Sequence, residues 1–178
     1  MKNIKVIISD FDQTLLDTKS VGALRAQSGK IKEVVSIAKN FELYHGWREV
    51  FEGLKERKIT FGILSHGTKT YLEPLLKRNK VPAEFLLSRY GLFQKWPNLK
   101  PVPKSELLEQ SLQLPIMQDI KREEILYIGD QANDISQAHK FGCRAAACIW
   151  DTEDKLENIF AQNPDLVLNH PTDILRAV

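Results

Sequence analysis

Short apolar runs alternate with amphipathic helical patterns along the whole chain, and this alternation restricts the fold more than any other feature. The apolar runs predict six strands, at residues 4–9, 59–65, 85–87, 125–128, 144–150 and, at an edge, 165–168. Helical periodicity predicts helices between them, at residues 47–58, 70–79, 103–114, 133–141 and 152–161. Such alternation predicts βαβ units, hence a doubly wound α/β fold whose parallel sheet is covered on both faces.

The segment 18–44 interrupts this alternation because it has no strand pattern. Ser28-Gly29 divides it into two helical pieces, 21–27 and 31–41. We expect a small helical insertion there, within a single domain that spans residues 1–178.

Composition excludes several classes of protein. With 178 residues, 43% of them hydrophobic and 27% charged, the chain suits one globular domain, not a disordered or fibrous protein. No apolar stretch approaches the ~20 residues of a membrane span, and Asp10 follows the short first apolar run too closely for a secretory signal. Cys143 and Cys148 lie in apolar surroundings, which favours buried thiols in a reducing compartment. We therefore expect a cytoplasmic protein.

Acidic residues follow two of the predicted strands. Asp10 and Asp12 come directly after the first strand, and Asp130 and Asp134 come after the fourth. The carboxyl ends of strands in an open parallel sheet meet at one edge, where such folds place ligand sites. Two carboxylates around a sharp turn can converge on a metal ion and a reacting phosphorus atom. Each pair alone is also compatible with a surface turn or a helix cap.

A hydroxyl group and a lysine occupy related positions. The second strand ends in Ser65-His66-Gly67, where a hydroxyl and consecutive backbone N–H groups can hold an anion. Lys100 begins the segment Lys-Pro-Val-Pro, whose prolines stiffen the loop before the next helix. A helix cap or a solvated lysine explains either feature alone, but their conjunction with two acid pairs indicates a phosphate site.

Four ordered segments carry a resemblance to a known family: DFDQTLLDT (10–18), ILSHGT (63–68), KPVP (100–103) and YIGDQANDISQA (127–138). They resemble the haloacid dehalogenase-like (HAD) hydrolase superfamily, and look most like its phosphoglycolate phosphatase-type branch. The tail NPDLVLNHPTDIL (163–175) also looks like the end of that branch. The resemblance covers most of the chain outside 18–44. It implies a Rossmann-like HAD fold and a Mg²⁺-dependent phosphomonoester phosphatase that forms an aspartyl-phosphate.

The resemblance also implies catalytic roles. Asp10 would be the nucleophile, and Asp12 the general acid that later activates water. Lys100 would neutralise negative charge on the phosphoryl group and hold Asp10 in place. Lys104 is the rival for this role. The substrate-binding residues would lie in two loops: Ser65, His66, Gly67 and Lys100.

The same resemblance implies Mg²⁺ as cofactor. Its ligands would be Asp10, the backbone carbonyl of Asp12, and Asp130, while Asp134 would either bind the ion or orient its ligands. Charge supports this set independently, because a carboxylate that attacks a dianionic phosphate needs cations to offset repulsion.

The insertion 18–44 is shorter than the full helical cap of capped relatives, and residues 88–100 leave no room for a cap at the other usual position. We therefore expect an open site that takes a phosphorylated small molecule or a phosphorylated polymer end, with no membrane partner. A large substrate or a neighbouring subunit in a homo-oligomer would close it.

Net charge is only +2, but eight basic residues stand against two acidic ones between Lys69 and Lys104. They are either a solvated surface or a field that attracts an anionic substrate.

Alternatives remain from other classes. A phosphomutase could use the same aspartyl-phosphate, although mutases need a cap that excludes water. A non-enzymatic receiver-like module shares the acid, hydroxyl and lysine set, but Ser88-Arg89 stands where its phosphate-accepting aspartate would follow the third strand. An inactive binding scaffold is disfavoured because every functional position is filled. Dehalogenation is disfavoured because the dehalogenases of the superfamily that the chain resembles lack an acid at the position of Asp12.

Overall fold

Six parallel strands form one sheet in the order β3-β2-β1-β4-β5-β6. The computed structural model describes residues 3–25, 27, 30–38, 40–92 and 100–178. The strands are β1 (Val6–Ser9), β2 (Thr60–Leu64), β3 (Phe85–Leu87), β4 (Ile125–Gly129), β5 (Arg144–Cys148) and β6 (Leu166–Leu168). All six predicted strands are present, β6 lies at an edge as predicted, and the doubly wound α/β fold is confirmed.

Helices cover both faces of the sheet. They are α1 (Lys19–Arg25), α2 (Ile31–Ala38), α3 (Trp47–Glu56), α4 (Lys69–Arg78), α5 (Lys104–Ser111), α6 (Ala132–Phe141), α7 (Leu156–Phe160) and α8 (Ile174–Ala177). Helices α1 to α4 and α8 contribute to one apolar core, and α5 to α7 contribute to the other. Strand β1 divides its side chains between the two cores, since Ile7 faces one while Val6 and Ile8 face the other.

The register of the central strands positions the site. Ser9 at the end of β1 pairs with Ile63 on one side and Ile128 on the other. The chain therefore leaves β1, β2 and β4 at the same edge of the sheet. The loops that begin with Asp10, Ser65 and Asp130 meet there, as the strand-end argument predicts.

Two further features bear on the sequence predictions. Cys143 and Cys148 are buried free thiols, as predicted. Within the part of the chain that the structure describes, none of the helices has the length and apolar character needed to cross a membrane. Helices α1 and α2 occupy the segment 18–44, where two helical pieces are predicted; of those pieces, residues 26 and 39 lie outside the described part of the chain.

Candidate active site

Three carboxyl groups converge at the carboxyl edge of the sheet. Asp10, Asp130 and Asp134 are buried, and one oxygen of each lies within 4.8 Å of the others. Asp10 continues the β1 ladder, because its N–H donates to Ile128 O at 2.8 Å. The sheet itself thus fixes the position of the first acid next to the loop that carries the other two.

Lys104 supplies the positive charge of this cluster. Its Nζ lies 2.9 Å from Asp10 Oδ2 and donates a hydrogen bond to Asp134 Oδ1. Lys104 is the first residue of α5 and is itself buried, so one ammonium group joins acids from two different strand ends. An ion pair this far from water keeps its geometry, because losing either partner would leave an uncompensated buried charge.

The structure brings Lys104, the rival in the sequence-based choice of lysine, into contact with Asp10. Lys100 is exposed, and it is not among the described residues that line the cleft. Lys104, the rival, occupies the place predicted for Lys100. Both residues flank Pro101-Val102-Pro103, and Val102 N–H donates to Arg89 O at 2.9 Å. That contact anchors the loop beside β3 and brings the start of α5, rather than the start of the loop, to Asp10.

Burial dominates the electrostatics of the acids. It raises the pKa of Asp10 to about 7, with Lys104 opposing and Asp134 and Asp12 reinforcing the rise. Burial also raises the pKa of Asp130 to about 8, and the neighbouring Asp10 and Asp134 add to the effect. Burial would lower the pKa of Lys104, but Asp10 and Asp134 outweigh it and hold that pKa well above its ordinary value. One lysine therefore leaves the cluster short of positive charge.

The cluster fits a divalent cation. Asp130 Oδ1 accepts a hydrogen bond from Thr14 Oγ1 at 3.4 Å, whereas the buried Asp130 Oδ2 has no hydrogen-bond partner among the described residues. A buried carboxylate oxygen without a donor is costly, and a bound cation would remove that cost. Carboxylate oxygens are the ligands that Mg²⁺ prefers, so the donor set suits the ion that the sequence implies.

Asp134 is held by its own helix. Its Oδ2 accepts from the backbone N–H of Gln131 at 3.2 Å, which caps α6, while Oδ1 accepts from Lys104. Gly129 allows this arrangement, because a Cβ there would lie 2.4 Å from Asp134 Oδ2. Both oxygens of Asp134 are therefore engaged within the protein, which favours the orienting role over direct metal binding.

Asp12 lies beside the cluster and is oriented by hydroxyl groups. Thr18 Oγ1 donates to Asp12 Oδ1 at 2.7 Å, and Tyr71 Oη donates to the same oxygen at 2.9 Å. Gln13, at a positive φ of 53°, turns the chain between the acid pair and α1. This turn lets Asp12 face the cleft while Asp10 remains in the sheet.

The loop after β2, where the sequence predicts an anion cradle, lies against the cleft. Ser65 is buried and lines the cleft, and its Oγ accepts from Gly67 N–H at 3.0 Å. His66 stands at the rim with Nε2 3.2 Å from Val102 O, so Nε2 carries the proton because a carbonyl only accepts. Burial, and then the charge of Lys104, lowers the pKa of His66, which favours the neutral imidazole. All three residues predicted to bind substrate from this loop line the cleft.

The cleft has a volume of about 360 Å³ and receives walls from several loops. Gly22 of α1 and Glu153 of the loop after β5 also line it. The insertion is tied to the same loop at both of its ends, since Lys19 Nζ and Tyr44 Oη each donate to Asp151. This anchoring ties both ends of the insertion to the loop that contributes Glu153 to the cleft.

The basic stretch does not act as one surface. Of its described members, Arg89 and Lys104 line the cleft. Lys77 and Arg78 lie in the last turn of α4, the end remote from the cradle, and Lys95 lies outside the described residues. Of the two interpretations of the basic stretch, the solvated surface describes Lys77 and Arg78.

Among the cleft residues that the sequence does not assign to the site, Tyr71 and Arg89 have side chains suited to a role there. Tyr71 lies inside α4 at a position that helical periodicity assigns to the core, and it is indeed 1% exposed. Arg89 appears in the sequence only as one of several basic residues. The signal for Arg89 is its position two residues after β3 ends, close to the strand-end rule that identifies Asp10 and Ser65.

Comparison with known proteins identifies the family of this chain. A family model of haloacid dehalogenase-like hydrolases matches residues 21–148. The phosphoglycolate phosphatase of Synechococcus elongatus is 28% identical over 137 residues, which are 77% of this chain and 59% of that protein. The phosphoserine phosphatase of Campylobacter jejuni is 22% identical over 184 residues, which are 82% of this chain and 87% of that protein. The chain thus spans about three fifths of the length of the phosphoglycolate phosphatase.

Solved structures share the fold. A haloacid dehalogenase-like hydrolase from Streptococcus pneumoniae superposes with a TM-score of 0.73 at 17% identity, covering 99% of both chains. The family model covers well over half of the sequence. The resemblance drawn from the four sequence segments is thereby confirmed: the chain belongs to the haloacid dehalogenase-like hydrolases.

Proposed function

We propose that this protein is a Mg²⁺-dependent phosphomonoester phosphatase that works through an aspartyl-phosphate on Asp10. The observation that carries the proposal is the buried Asp10–Lys104–Asp134 ion-pair cluster, with Asp130 beside it, at the strand ends. A buried lysine beside buried carboxylates at the strand ends suits the transfer of a dianionic phosphoryl group better than the binding of a neutral ligand.

In the first step, a carboxylate oxygen of Asp10 forms a bond to phosphorus while the ester P–O bond breaks. Asp12 gives its proton to the departing oxygen, so the alcohol leaves neutral. In the second step, Asp12 takes a proton from water, the water oxygen attacks phosphorus, and the bond to Asp10 breaks. Inorganic phosphate leaves, and both aspartates return to their starting states.

Other residues bind and orient. Ser65 and the N–H groups of its loop would hold phosphoryl oxygens, since this loop leads into the N-terminus of α4. Lys104 replaces Lys100 in the assignment, because it neutralises charge next to Asp10. Mg²⁺ held by Asp10, Asp130 and the carbonyl of Asp12 would supply further positive charge beside the phosphoryl group.

The substrate class is a small phosphorylated acid. Relatives named phosphoglycolate phosphatase and phosphoserine phosphatase support this choice. So does Arg89, whose exposed side chain lines the cleft and can pair with a second anionic group. The cleft volume of about 360 Å³ is ample for such a molecule. A neighbouring subunit could close the open side.

The test is hydrolysis of a panel of phosphate esters by the wild type and by Asp10→Asn, with and without EDTA. The panel contains phosphoglycolate, phosphoserine, sugar phosphates, nucleotides and 5′-phosphorylated oligonucleotides. We expect Asp10→Asn to lose activity by ~10³-fold or more, because an amide cannot replace the nucleophile. Asp119→Asn is the matched control, because Asp119 is exposed.

A second readout addresses the intermediate directly. Mass spectrometry of acid-quenched Asp12→Asn enzyme should find phosphate on the peptide that contains Asp10. Wild-type hydrolysis that survives excess EDTA would refute the metal requirement, and phosphate on another residue would refute the nucleophile.

A further inference from the structure

We propose that Tyr71 is a positioning residue that fixes which oxygen of Asp12 exchanges the proton; this rests on the proposed function, in which Asp12 is the general acid. Tyr71 reaches Asp12 from another element, α4, and its Oη donates to Asp12 Oδ1 at 2.9 Å. None of the four sequence segments that carry the family resemblance includes Tyr71.

The direction of the two hydrogen bonds from Thr18 and Tyr71 to Asp12 Oδ1 is determined. Gln13 Nε2 donates to Thr18 Oγ1 at 3.1 Å, so the Thr18 hydroxyl already accepts one bond. Its single proton then goes to Asp12 Oδ1 at 2.7 Å. Tyr71 adds a second donor to the same oxygen. Asp12 Oδ1 therefore receives protons from two sides.

Two donors on one oxygen decide the form of the protonated acid. An oxygen that accepts two hydrogen bonds is the carbonyl oxygen of a neutral carboxyl group, so the acidic proton resides on the other oxygen, Oδ2. A carboxyl group without these donors could rotate and present either oxygen. Tyr71 and Thr18 together thus hold Asp12 in the one orientation that presents Oδ2–H for transfer.

The ring of Tyr71 has a second, separable contact. It is buried and packs edge-on against Phe11, with ring centroids 5.8 Å apart and an interplanar angle of 81°. Phe11 lies between the two catalytic aspartates, so the ring supports the turn and the hydroxyl orients the acid. Because α4 also follows the Ser65 loop, Tyr71 links the anion cradle to the proton donor. Tyr71→Phe keeps the ring contact and removes only the hydroxyl.

The experiment compares kcat/KM for two phosphate esters, since kcat/KM reports the step in which the leaving group departs. An alkyl phosphate releases a basic alkoxide that needs the proton of Asp12, whereas p-nitrophenyl phosphate releases a weakly basic phenolate that does not. We expect Tyr71→Phe to lower kcat/KM about tenfold for the alkyl phosphate and by less than about twofold for p-nitrophenyl phosphate.

Two other variants complete the test. Thr18→Val removes the second donor to Asp12 Oδ1 at nearly constant volume and should give the same leaving-group dependence. Tyr90→Phe, which removes a hydroxyl outside the cleft lining, should leave both rates unchanged. Thermal melts of all variants show whether they remain folded.

The outcomes separate the inference from the function on which it rests. An equal fall for both esters, or no fall for either, with Tyr71→Phe overturns the positioning role while the phosphatase proposal stands. Failure of the wild type to hydrolyse any ester in the presence of Mg²⁺ overturns the proposed function and the positioning role together. A tenfold selective fall shared by Tyr71→Phe and Thr18→Val supports the inference.

Discussion

Charged side chains are buried and paired at one end of the parallel sheet and exposed to solvent at the other. At the carboxyl end, Lys104 is buried between Asp10 and Asp134, and its ammonium group lies within hydrogen-bond distance of both. At the other end, Lys77 and Arg78 project from the last turn of α4 into solvent. Charges withdrawn from water interact several times more strongly than exposed ones, which salt also screens. A basic residue buried at the carboxyl end therefore interacts strongly with its neighbours, whereas basic residues exposed at the other end contribute little energy.

The contrast shows that strand order, not nearness along the chain, assembles the charged site. Lys100 and Lys104 are four residues apart, yet Lys104 is buried and Lys100 is exposed. Asp10 and Asp134 are distant in sequence but share one ammonium group. Substitutions that alter one member of each contrasting pair are the direct test of this view.

The largest effect is expected at the two lysines. Lys104→Met should lower kcat/KM by ~10²–10³-fold, because the phosphoryl group and Asp10 lose their buried cation. Lys100→Met should change it by less than about twofold. Steady-state kinetics on one substrate, with circular dichroism to verify folding, measure both. The reverse result, an active Lys104→Met and an inactive Lys100→Met, would restore the sequence-based choice.

A smaller effect is expected on thermal stability, because ionisation of the buried carboxyl groups destabilises the folded state. Burial raises the folded-state pKa of Asp130 from 3.8 to about 8, so the native state holds a proton that the unfolded chain releases. This contribution to stability is complete below about pH 4 and is lost as pH rises through about 8. In EDTA, the wild-type melting temperature should therefore fall between pH 5 and 8, and Asp130→Asn should show a shallower fall.

Adding Mg²⁺ to the same melting experiment tests whether the cluster binds a cation. It should raise the wild-type melting temperature at pH 8, because a bound cation stabilises the ionised cluster. The rise should be much smaller in Asp130→Asn, which lacks one carboxylate, and unchanged in Asp119→Asn. Identical pH dependence in wild type and Asp130→Asn would remove Asp130 as a source of electrostatic strain.

The sequence predicted the fold and the acids because both depend on local rules. Short apolar runs specify strands by their own periodicity, and the loops after β1, β2 and β4 must meet once the sheet is parallel. Asp10, Ser65 and Asp130 could therefore be named without coordinates. The exact ends of helices were less predictable: residues 152–161 suggest a helix, but the first half of that segment is a loop that caps other elements, with Asp154 Oδ2 accepting from Ala132 N–H.

Lys104 and Tyr71 required the structure, for two different physical reasons. The choice between Lys100 and Lys104 depends on where the loop after β3 delivers the chain to α5, and loop paths carry no periodic signal. Tyr71 has the hydrophobic spacing of a core residue and is buried as one. Only the three-dimensional position of Asp12 reveals that the Tyr71 hydroxyl donates to the residue proposed as the general acid.

The smallest effect concerns long-range attraction of the substrate. Helix α4 has ten residues, about 15 Å of helix axis, whereas the Debye length is ~10 Å at 0.1 M salt. Charges at its last turn are therefore screened from the cradle at its first turn, while Arg89 lines the cleft itself. We expect kcat/KM to fall about twofold to threefold between 0.05 and 0.5 M salt, with kcat nearly constant. Arg89→Gln should flatten that dependence, and simultaneous charge reversal at Lys77, Arg78 and Lys80 should leave it as steep as in the wild type. If the triple reversal flattens the dependence and Arg89→Gln does not, the far end of α4 contributes to substrate capture after all, and the contrast between the two ends of the sheet fails.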